Sequence, residues 1–395
     1  MNARKSNAGF KPSFSMERLE DRQMMAGDVA ASVINGSLYI NEAYNQAGGS
    51  NAVQVSQLSN GMIRVKGLQN QDGGLTLVDG QSYRDFHVSN NLIMNLGAGN
   101  DTVLVGRDAP VNKFGDIYIN ASSPNAGDPL DRDSINIERV TTRGAVEIIA
   151  GAGTDYVNVH NSTVGDGIGS YDDLRINTGD GAYAFVNVGN VATRGMLDIR
   201  TGNGIDAVDV SKSNIGDGVG IDNLNIYTGA GADSVRMNRW DLGANQVRGH
   251  LNVYTYNNDA ELDADVVEMT SVTSYMNINV LTGGGADSVK MLGSFAGADI
   301  LLSGGAGSDH FEITEVRSQD DFFASMGDGD DRLDMQYVGG DQLVLNGGAG
   351  FDSLNRWNNA PANDVVFSNW EKINGVNQLY FTGLHLSMNK SALSR

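Results

Sequence analysis

Aspartate is the residue whose type and spacing most clearly predict chemistry in this chain. The pattern Gly-x-Gly-x-Asp followed by alternating apolar residues begins at positions 97, 151, 202, 229, 283, 305, 327 and 348, and two copies without the glycines surround Asp133 and Asp265. The aligned aspartates are Asp101, Asp133, Asp155, Asp206, Asp233, Asp265, Asp287, Asp309, Asp331 and Asp352. One carboxylate at a fixed point of every repeat predicts a cation site, because hard cations such as Ca²⁺ prefer oxygen ligands.

The spacing of these aspartates indicates how the chain is built. From Asp265 onward the steps are 22, 22, 22 and 21 residues, and elsewhere they are 22 plus insertions, with one copy that carries Ala184 in place of aspartate. A repeat of this period is typical of a solenoid, in which each repeat contacts only its neighbours.

The segments around the glycines have the alternation of β-strands. Leu174–Thr178 and Leu197–Thr201 precede glycine pairs, and Val157 and Val159 follow one, with apolar residues at every second position. Period-two alternation between glycine turns predicts at least two short strands per repeat. Stacked repeats then form parallel sheets, so we expect an all-β, right-handed parallel β-helix.

Four segments follow from the repeat pattern. Residues 1–27 form a leader, 28–91 an N-terminal cap with worn repeats, 92–355 the regular β-helix and 356–395 a C-terminal cap. We expect irregular caps because the open end of a solenoid exposes unpaired strand edges.

Stacking supplies an independent reason for a cation. Carboxylates one strand spacing apart repel by about 1 kcal/mol in water and about 3 to 4 kcal/mol at an effective dielectric constant of about 20. The calcium ligands expected first are the contiguous set, followed by two central and two N-terminal positions: Asp287, Asp309, Asp331, Asp352, Asp206, Asp233, Asp101 and Asp155. The alternative is that each aspartate only closes a turn with its own backbone.

The glycine pattern resembles the haemolysin-type, repeats-in-toxin calcium motif, Gly-Gly-x-Gly-x-Asp-x-(apolar)-x. Segments 304–312 and 347–355 match it in full, and other copies replace the first glycine. The resemblance implies that backbone carbonyls and aspartates of successive turns hold Ca²⁺. This chain has the motif once per repeat of at least 21 residues, whereas the family repeats it in tandem, so only one corner would bind.

The leader carries a second resemblance. Met16–Ala26 is similar to the Leu-Glu-x-Arg-x-Leu-Leu-Ala motif of planctomycete surface and secreted proteins, with Leu19, Glu20, Arg22 and Ala26 matching and methionines at the two leucine positions. The resemblance implies export, processing near Ala26 and an extracellular or cell-surface location. A standard signal peptide is not predicted, since no apolar stretch follows the basic start. The alternative is a disordered basic leader without an address.

Composition restricts the partners. A net charge of −21 disfavours nucleic acid and anionic membranes and favours calcium ions. The sequence contains no run of about 20 apolar residues, so it predicts no transmembrane segment. Extracellular polysaccharide and cell-surface components remain as further partners.

Two functions are compatible with these features. The first is an exported, calcium-binding β-solenoid with a structural, adhesive or surface-matrix role. The second is a carbohydrate-active β-helix, a polysaccharide lyase or hydrolase acting in an outer groove. Glycosidases need a defined pair of carboxylates, and among 48 acidic residues the sequence singles out no such pair; the five histidines share no spacing.

Overall fold

A computed structural model describes most of the chain. It covers residues 28–43, 48–122, 131–168, 172–220, 222–238, 244–256, 262–358 and 364–374, and the strand backbone of 376–377 and 384–386. This part consists of β-strands and turns and contains no helix, hence no helix able to cross a lipid bilayer. The predicted export segment 1–27 lies outside the described residues.

The strands are short and numerous. The first half contains β1 (Val29–Ile34), β2 (Ser37–Glu42), β3 (Ala52–Gln57), β4 (Ile63–Gly67), β5 (Tyr83–Phe86), β6 (Leu92–Asn95), β7 (Thr102–Val105), β8 (Ile117–Asn120), β9 (Ser134–Glu138), β10 (Val146–Ile149), β11 (Thr154–Val164), β12 (Leu174–Asn177), β13 (Tyr183–Thr193), β14 (Leu197–Arg200), β15 (Ala207–Ser211), β16 (Asn214–Ile215), β17 (Leu224–Tyr227) and β18 (Ser234–Met237). The second half contains β19 (Asn245–Val247), β20 (Leu251–Tyr254), β21 (Val266–Thr270), β22 (Val272–Ser274), β23 (Ile278–Leu281), β24 (Ser288–Leu292), β25 (Phe295–Ala296), β26 (Ile300–Ala306), β27 (His310–Thr314), β28 (Arg317–Ser318), β29 (Phe322–Asp328), β30 (Arg332–Gln336), β31 (Gln342–Ala349), β32 (Ser353–Trp357), β33 (Asp364–Ser368), β34 (Lys372–Ile373), β35 (Val376–Asn377) and β36 (Leu384–Leu386).

The chain coils into a parallel β-solenoid of about 11 turns, which confirms the predicted architecture. Each coil adds one strand to a first sheet of 15 strands, and consecutive strands such as β10, β12 and β14 pair in parallel. Equivalent residues of neighbouring repeats are partners: Ile148 pairs with Ile176, and Ile176 with Ile199. The repeat found in the sequence is therefore the coil itself.

A second sheet follows the glycines and bends at one residue. At the bend the backbone is left-handed, with φ of 51° at Asn161, 53° at Asn190 and 59° at Asn238. Asparagine tolerates this conformation better than most residues, and Asn190 Nδ2 donates to Asn161 Oδ1 at 2.8 Å. The bend separates a further short strand, such as β16 after β15, which the sequence pattern did not reveal.

Each coil thus has three turns, which we name as follows. The glycine corner joins the first sheet to the second, as at Gly305–Asp309; the bend is the left-handed residue, Glu315 in that coil; the return corner leads back to the first sheet, as at residues 318–321. The interior is a set of apolar columns, in which Val186, Val208 and Val235 are fully buried. Burial of each such side chain contributes about 1.5 to 3 kcal/mol.

Antiparallel strands close the N-terminal end. β1 pairs with β2, and β3, β4 and β5 form an antiparallel meander. β2 and β3 also pair in parallel with β6 and β7, so part of 28–91 belongs to the stack, as worn repeats would. The antiparallel strands β1 and β4 therefore supply hydrogen-bond partners to β2 and β3, the first strands of the parallel stack.

The C-terminal end interrupts the core. Arg356 pairs with Met335 and stands where the preceding coils place a buried apolar side chain. Its guanidinium lies 5.0 Å from the ring centroid of Phe367. The buried Trp370 donates through Nε1 to the carbonyl oxygen of Leu345 at 3.0 Å. A charged group thus ends one apolar column, while Ile373 continues the column of Leu354.

The glycines are required by contact between coils. Gly307 has φ of 136°, and a Cβ there would lie 1.5 Å from the carbonyl oxygen of Gly285 in the preceding coil. Gly329 has the same relation to Gly307, at 1.7 Å. The backbone of one corner rests directly on the backbone of the next.

Gly307→Ala should therefore destabilise the protein by about 3 kcal/mol or more, because both the strained φ and the overlap oppose it. Gly73→Ala is the matched control, since Gly73 also has positive φ (85°) but open space around its Cβ position; it should cost about 1 kcal/mol. Urea unfolding followed by circular dichroism measures both. Equal losses would contradict the stacking role of Gly307.

Candidate functional site

The structure brings the predicted aspartates into one column at the glycine corner. All ten aligned aspartates are buried, from 0% exposed at Asp101 and Asp352 to 2% at Asp309. They occupy equivalent positions at the start of second-sheet strands, where Asp155 pairs with Ala184. We call this column, with the Ala184 gap, the aspartate ladder.

Each ladder carboxylate binds the backbone of the coil before it. The N–H groups of Asp287, Asp309 and Asp331 donate to Oδ1 of the next aspartate along the chain, at 2.9, 2.8 and 2.9 Å respectively. The pattern starts with the N–H of Asn51, which donates to Asp101 Oδ1 at 2.7 Å. It ends with the N–H of Asp352, which donates to Glu371 Oε2 at 2.7 Å. A buried N–H without an acceptor is costly, so these carboxylates join successive coils.

Neither expected role of the aspartates included this bond. The aspartates were expected either to bind a metal or to close a turn within their own repeat. Their Oδ1 atoms instead accept hydrogen bonds from the main chain of a neighbouring coil. Ala184 marks the one gap: its N–H donates to Asp206 Oδ1 at 2.7 Å, but its methyl group accepts nothing.

The second carboxylate oxygen has different surroundings along the ladder. In the coil of Asp265, Thr255 Oγ1 donates to Oδ2 at 2.6 Å. Elsewhere Oδ2 is buried with no hydrogen-bond partner in the described structure, both in coils without the threonine, at Asp309, Asp331 and Asp352, and in coils that have it, at Asp206 and Asp233. In the coil of Asp309 the position equivalent to Thr255 is Gly304, and a Cβ there would lie 2.1 Å from Oδ2.

Burial dominates the electrostatics of the ladder. It raises the pKa of Asp101 to about 9, of Asp133 to about 10 and of Asp233 to about 8, from an ordinary 3.8, and repulsion from neighbouring carboxylates adds to each shift. Burial also raises the pKa of Asp155 and Asp309 to about 7. Burial raises the pKa of Asp206 to about 6, and the interaction of its carboxylate with the Thr201 side chain opposes this rise.

A buried carboxylate oxygen without a donor is compensated either by a proton or by a cation. In favour of calcium, Asp309, Asp331 and Asp352 each offer one such oxygen. However, within the described ranges no three His, Asp or Glu side chains are grouped to hold a metal. The main chain would have to supply most of the oxygens, so calcium binding stays a prediction.

The outer face of the second sheet carries a row of opposite charges. Arg236 Nε lies 3.1 Å from Glu268 Oε2, and Lys290 Nζ lies 2.9 Å from Glu312 Oε2. Glu268 pairs with Lys290 in register, so these charges lie on neighbouring strands. Exposed pairs of this kind contribute about 0 to 1 kcal/mol each, so the row supports the register of the coils.

The bend and the return corner carry ladders that the sequence argument missed. After the bend, Ser162 Oγ accepts the N–H of Val140 at 3.1 Å, and Asn245 Oδ1 accepts the N–H of Ser213 at 2.9 Å. At the return corner, Asp299 Oδ1 accepts the N–H of Asp321 at 3.1 Å. In the sequence these ladders correspond to a small polar residue that recurs once per coil. The recurrence is hard to recognise, because insertions change its spacing and valine replaces the polar residue in some coils.

Comparison of the chain with protein-family models, with curated proteins and with solved structures finds no significant match. The class defined by the geometry is thus a parallel β-solenoid with a buried aspartate ladder.

The hydrogen-bonding role of the ladder is tested by two substitutions at one position. Asp309→Ala removes the acceptor of the buried Asp287 N–H and should cost about 2 to 3 kcal/mol. Asp309→Asn keeps an oxygen at the Oδ1 position and should cost less than half as much. Thermal melting at pH 6 with a chelator measures both, and equal losses would refute the role assigned to Oδ1.

Stability should also depend on pH in a defined direction. Because burial raises the pKa of Asp101, Asp133 and Asp233, we expect the folded chain to bind protons that the unfolded chain releases above about pH 4. Stability in chelator should therefore fall as pH rises from 5 to 9, because the folded chain loses its excess protons over this range. A melting temperature that stays constant or rises over this range would contradict the buried, donor-poor ladder.

Proposed function

We propose that this chain is an exported structural rod of a cell surface or extracellular matrix, stabilised by cations at its aspartate ladder. The observation that carries the proposal is the ladder itself, which links coil to coil from Asn51 to Glu371 with one interruption. Polar side chains at all three turns of the coil form hydrogen bonds to a neighbouring coil, and such bonds hold an elongated solenoid together.

The dimensions support a scaffold. About 11 coils at a strand spacing of about 4.8 Å form a column roughly 50 Å long. A solenoid holds neighbouring repeats together by the same contacts throughout, so its faces present residues at a fixed spacing. Such a surface suits repeated attachment to extracellular polysaccharide or to other surface components.

Export is supported by the leader, whose residues 16–26 resemble the planctomycete motif, and by the charge of −21. A strongly acidic exported protein meets divalent cations in its surroundings, and cations are its natural counterions.

Calcium is the cation we propose for the ladder. Asp309, Asp331 and Asp352 would hold it, because they are consecutive and each has a buried Oδ2 without a donor. When bound, the ion would supply the positive charge that the burial of neighbouring carboxylates demands. The coil of Asp265 would need it less, since Thr255 already donates to Asp265 Oδ2.

Calcium should raise the melting temperature at pH 8 relative to chelator, because a ligand bound only by the folded state stabilises it by about 2.7 kcal/mol at 100 times its Kd. Asp309→Asn should lose most of this increment, since it removes a charged ligand while keeping the Oδ1 contact. Asp108→Asn, at an exposed carboxylate outside the ladder, should retain it.

Isothermal titration with CaCl₂, with MgCl₂ as the comparison, measures the binding directly. No calcium effect on the melting temperature or heat of the wild-type chain would remove calcium from the proposal. An effect lost equally in the Asp108 variant would show that calcium acts on the general surface charge.

A further inference from the structure

Two loops at the return corner are near copies of one another. The first, Gly165–Ile168, follows β11, and the second, Gly216–Val219, follows β16; both read Gly-Asp-Gly-(Ile/Val). One coil with a short return corner at Arg194 lies between them. The loops nevertheless meet, since a Cβ on Gly167 would lie 3.3 Å from Asp217 Oδ2.

The same hydrogen bonds hold both loops. Gly167 N–H donates to Asp172 Oδ2 at 2.8 Å, and Gly218 N–H donates to Asp222 Oδ2 at 2.7 Å. In addition, the N–H of each tip residue donates at 2.9 Å to Oδ1 of the aspartate two positions earlier. Both loops also use left-handed glycines, with φ of 78° at Gly167 and 90° at Gly218. These hydrogen bonds from backbone N–H groups to aspartate side chains fix the shape of each loop.

What these fixed loops present to solvent is aliphatic. Ile168 is 89% exposed and Val219 is 81% exposed. Isolated exposed apolar residues are common on protein surfaces. Here two β-branched side chains stand at matching tips of neighbouring loops, each raised by a dedicated set of hydrogen bonds.

Carboxylates surround the two tips. Asp172 and Asp222, both 4% exposed, lie at the base of the loops, and Asp166 and Asp217 lie on them. Burial raises the pKa of Asp172 and Asp222, and Asp217 of the second loop adds to both shifts. Asp222 Oδ1 is buried with no hydrogen-bond partner in the described structure. Arg248 opposes the shift only at Asp222, so the two loops together remain negatively charged, and a positively charged partner would relieve this charge.

We propose that the Ile168 and Val219 tips, with Asp166, Asp172, Asp217 and Asp222 around them, form a docking surface for a cationic polypeptide segment that also carries aliphatic side chains. Charge complementarity selects the basic partner, with Asp166 and Asp217 on the loops and Asp172 and Asp222 beneath them, and the exposed Ile168 and Val219 supply apolar contact. This surface lies at the return corner, away from the aspartate ladder, and its role is independent of calcium at the glycine corner.

The test uses the full chain and a fluorescein-labelled 14-residue peptide of lysine and leucine, with binding followed by fluorescence anisotropy. The double variant Ile168→Ser, Val219→Ser leaves the charge unchanged and should weaken binding about tenfold, since each lost aliphatic contact carries part of the affinity. Asp217→Asn should weaken binding and reduce its dependence on salt.

Ile205→Ser is the matched control, because Ile205 is 59% exposed at the glycine corner and its loss should leave affinity unchanged. A peptide with serine in place of leucine should bind the wild-type chain as weakly as the double variant binds the leucine peptide. Equal affinity of the wild type and the double variant would overturn the proposal, as would equal binding of the two peptides. An Ile205 variant weakened as much as the double variant would overturn it too.

Discussion

The structure depends on one requirement: a buried backbone N–H at the start of each second-sheet strand must find an acceptor in the next coil. Parallel strands satisfy most N–H groups with carbonyl oxygens, but at the corners the chain changes direction and that pairing is interrupted. An inward aspartate supplies the missing acceptor, as in the bond from Asp287 N–H to Asp309 Oδ1. The carboxyl must then be buried, and its second oxygen becomes an electrostatic problem for the protein.

The coils resolve that problem in different ways. In the coil of Asp265, which has no glycine pair, Thr255 donates its hydroxyl to the second carboxylate oxygen. In the coils of Asp309 and Asp352 the equivalent residue is glycine, which allows close backbone approach but offers no donor. The surroundings of the second carboxylate oxygen therefore differ from coil to coil, while the fold stays the same.

The sequence predicted the coil well because its signals are local and repeated. Strand alternation, glycine corners and the 22-residue step all appear along the chain, and stacking alone brings residues such as Glu268 and Lys290 into register. The direction of the aspartate side chains could not be predicted in the same way. Whether Asp309 faces solvent or the interior depends on how the glycines before it turn, and its Oδ1 partner lies 22 residues away. The bend was missed because its left-handed residue varies, from Asn161 to Lys212 to Glu315.

Arg356 bears on a question that every solenoid raises, namely what decides how many turns it has. When each repeat contacts only its neighbours, nothing within a repeat limits the number of turns, because a further copy would make the same contacts as those before it. Arg356 breaks that equivalence by placing a guanidinium beside Phe367, where one apolar column would continue. One of these columns thus carries a local mark of the end of the solenoid, and duplication of an internal repeat would lengthen the solenoid without changing how it ends.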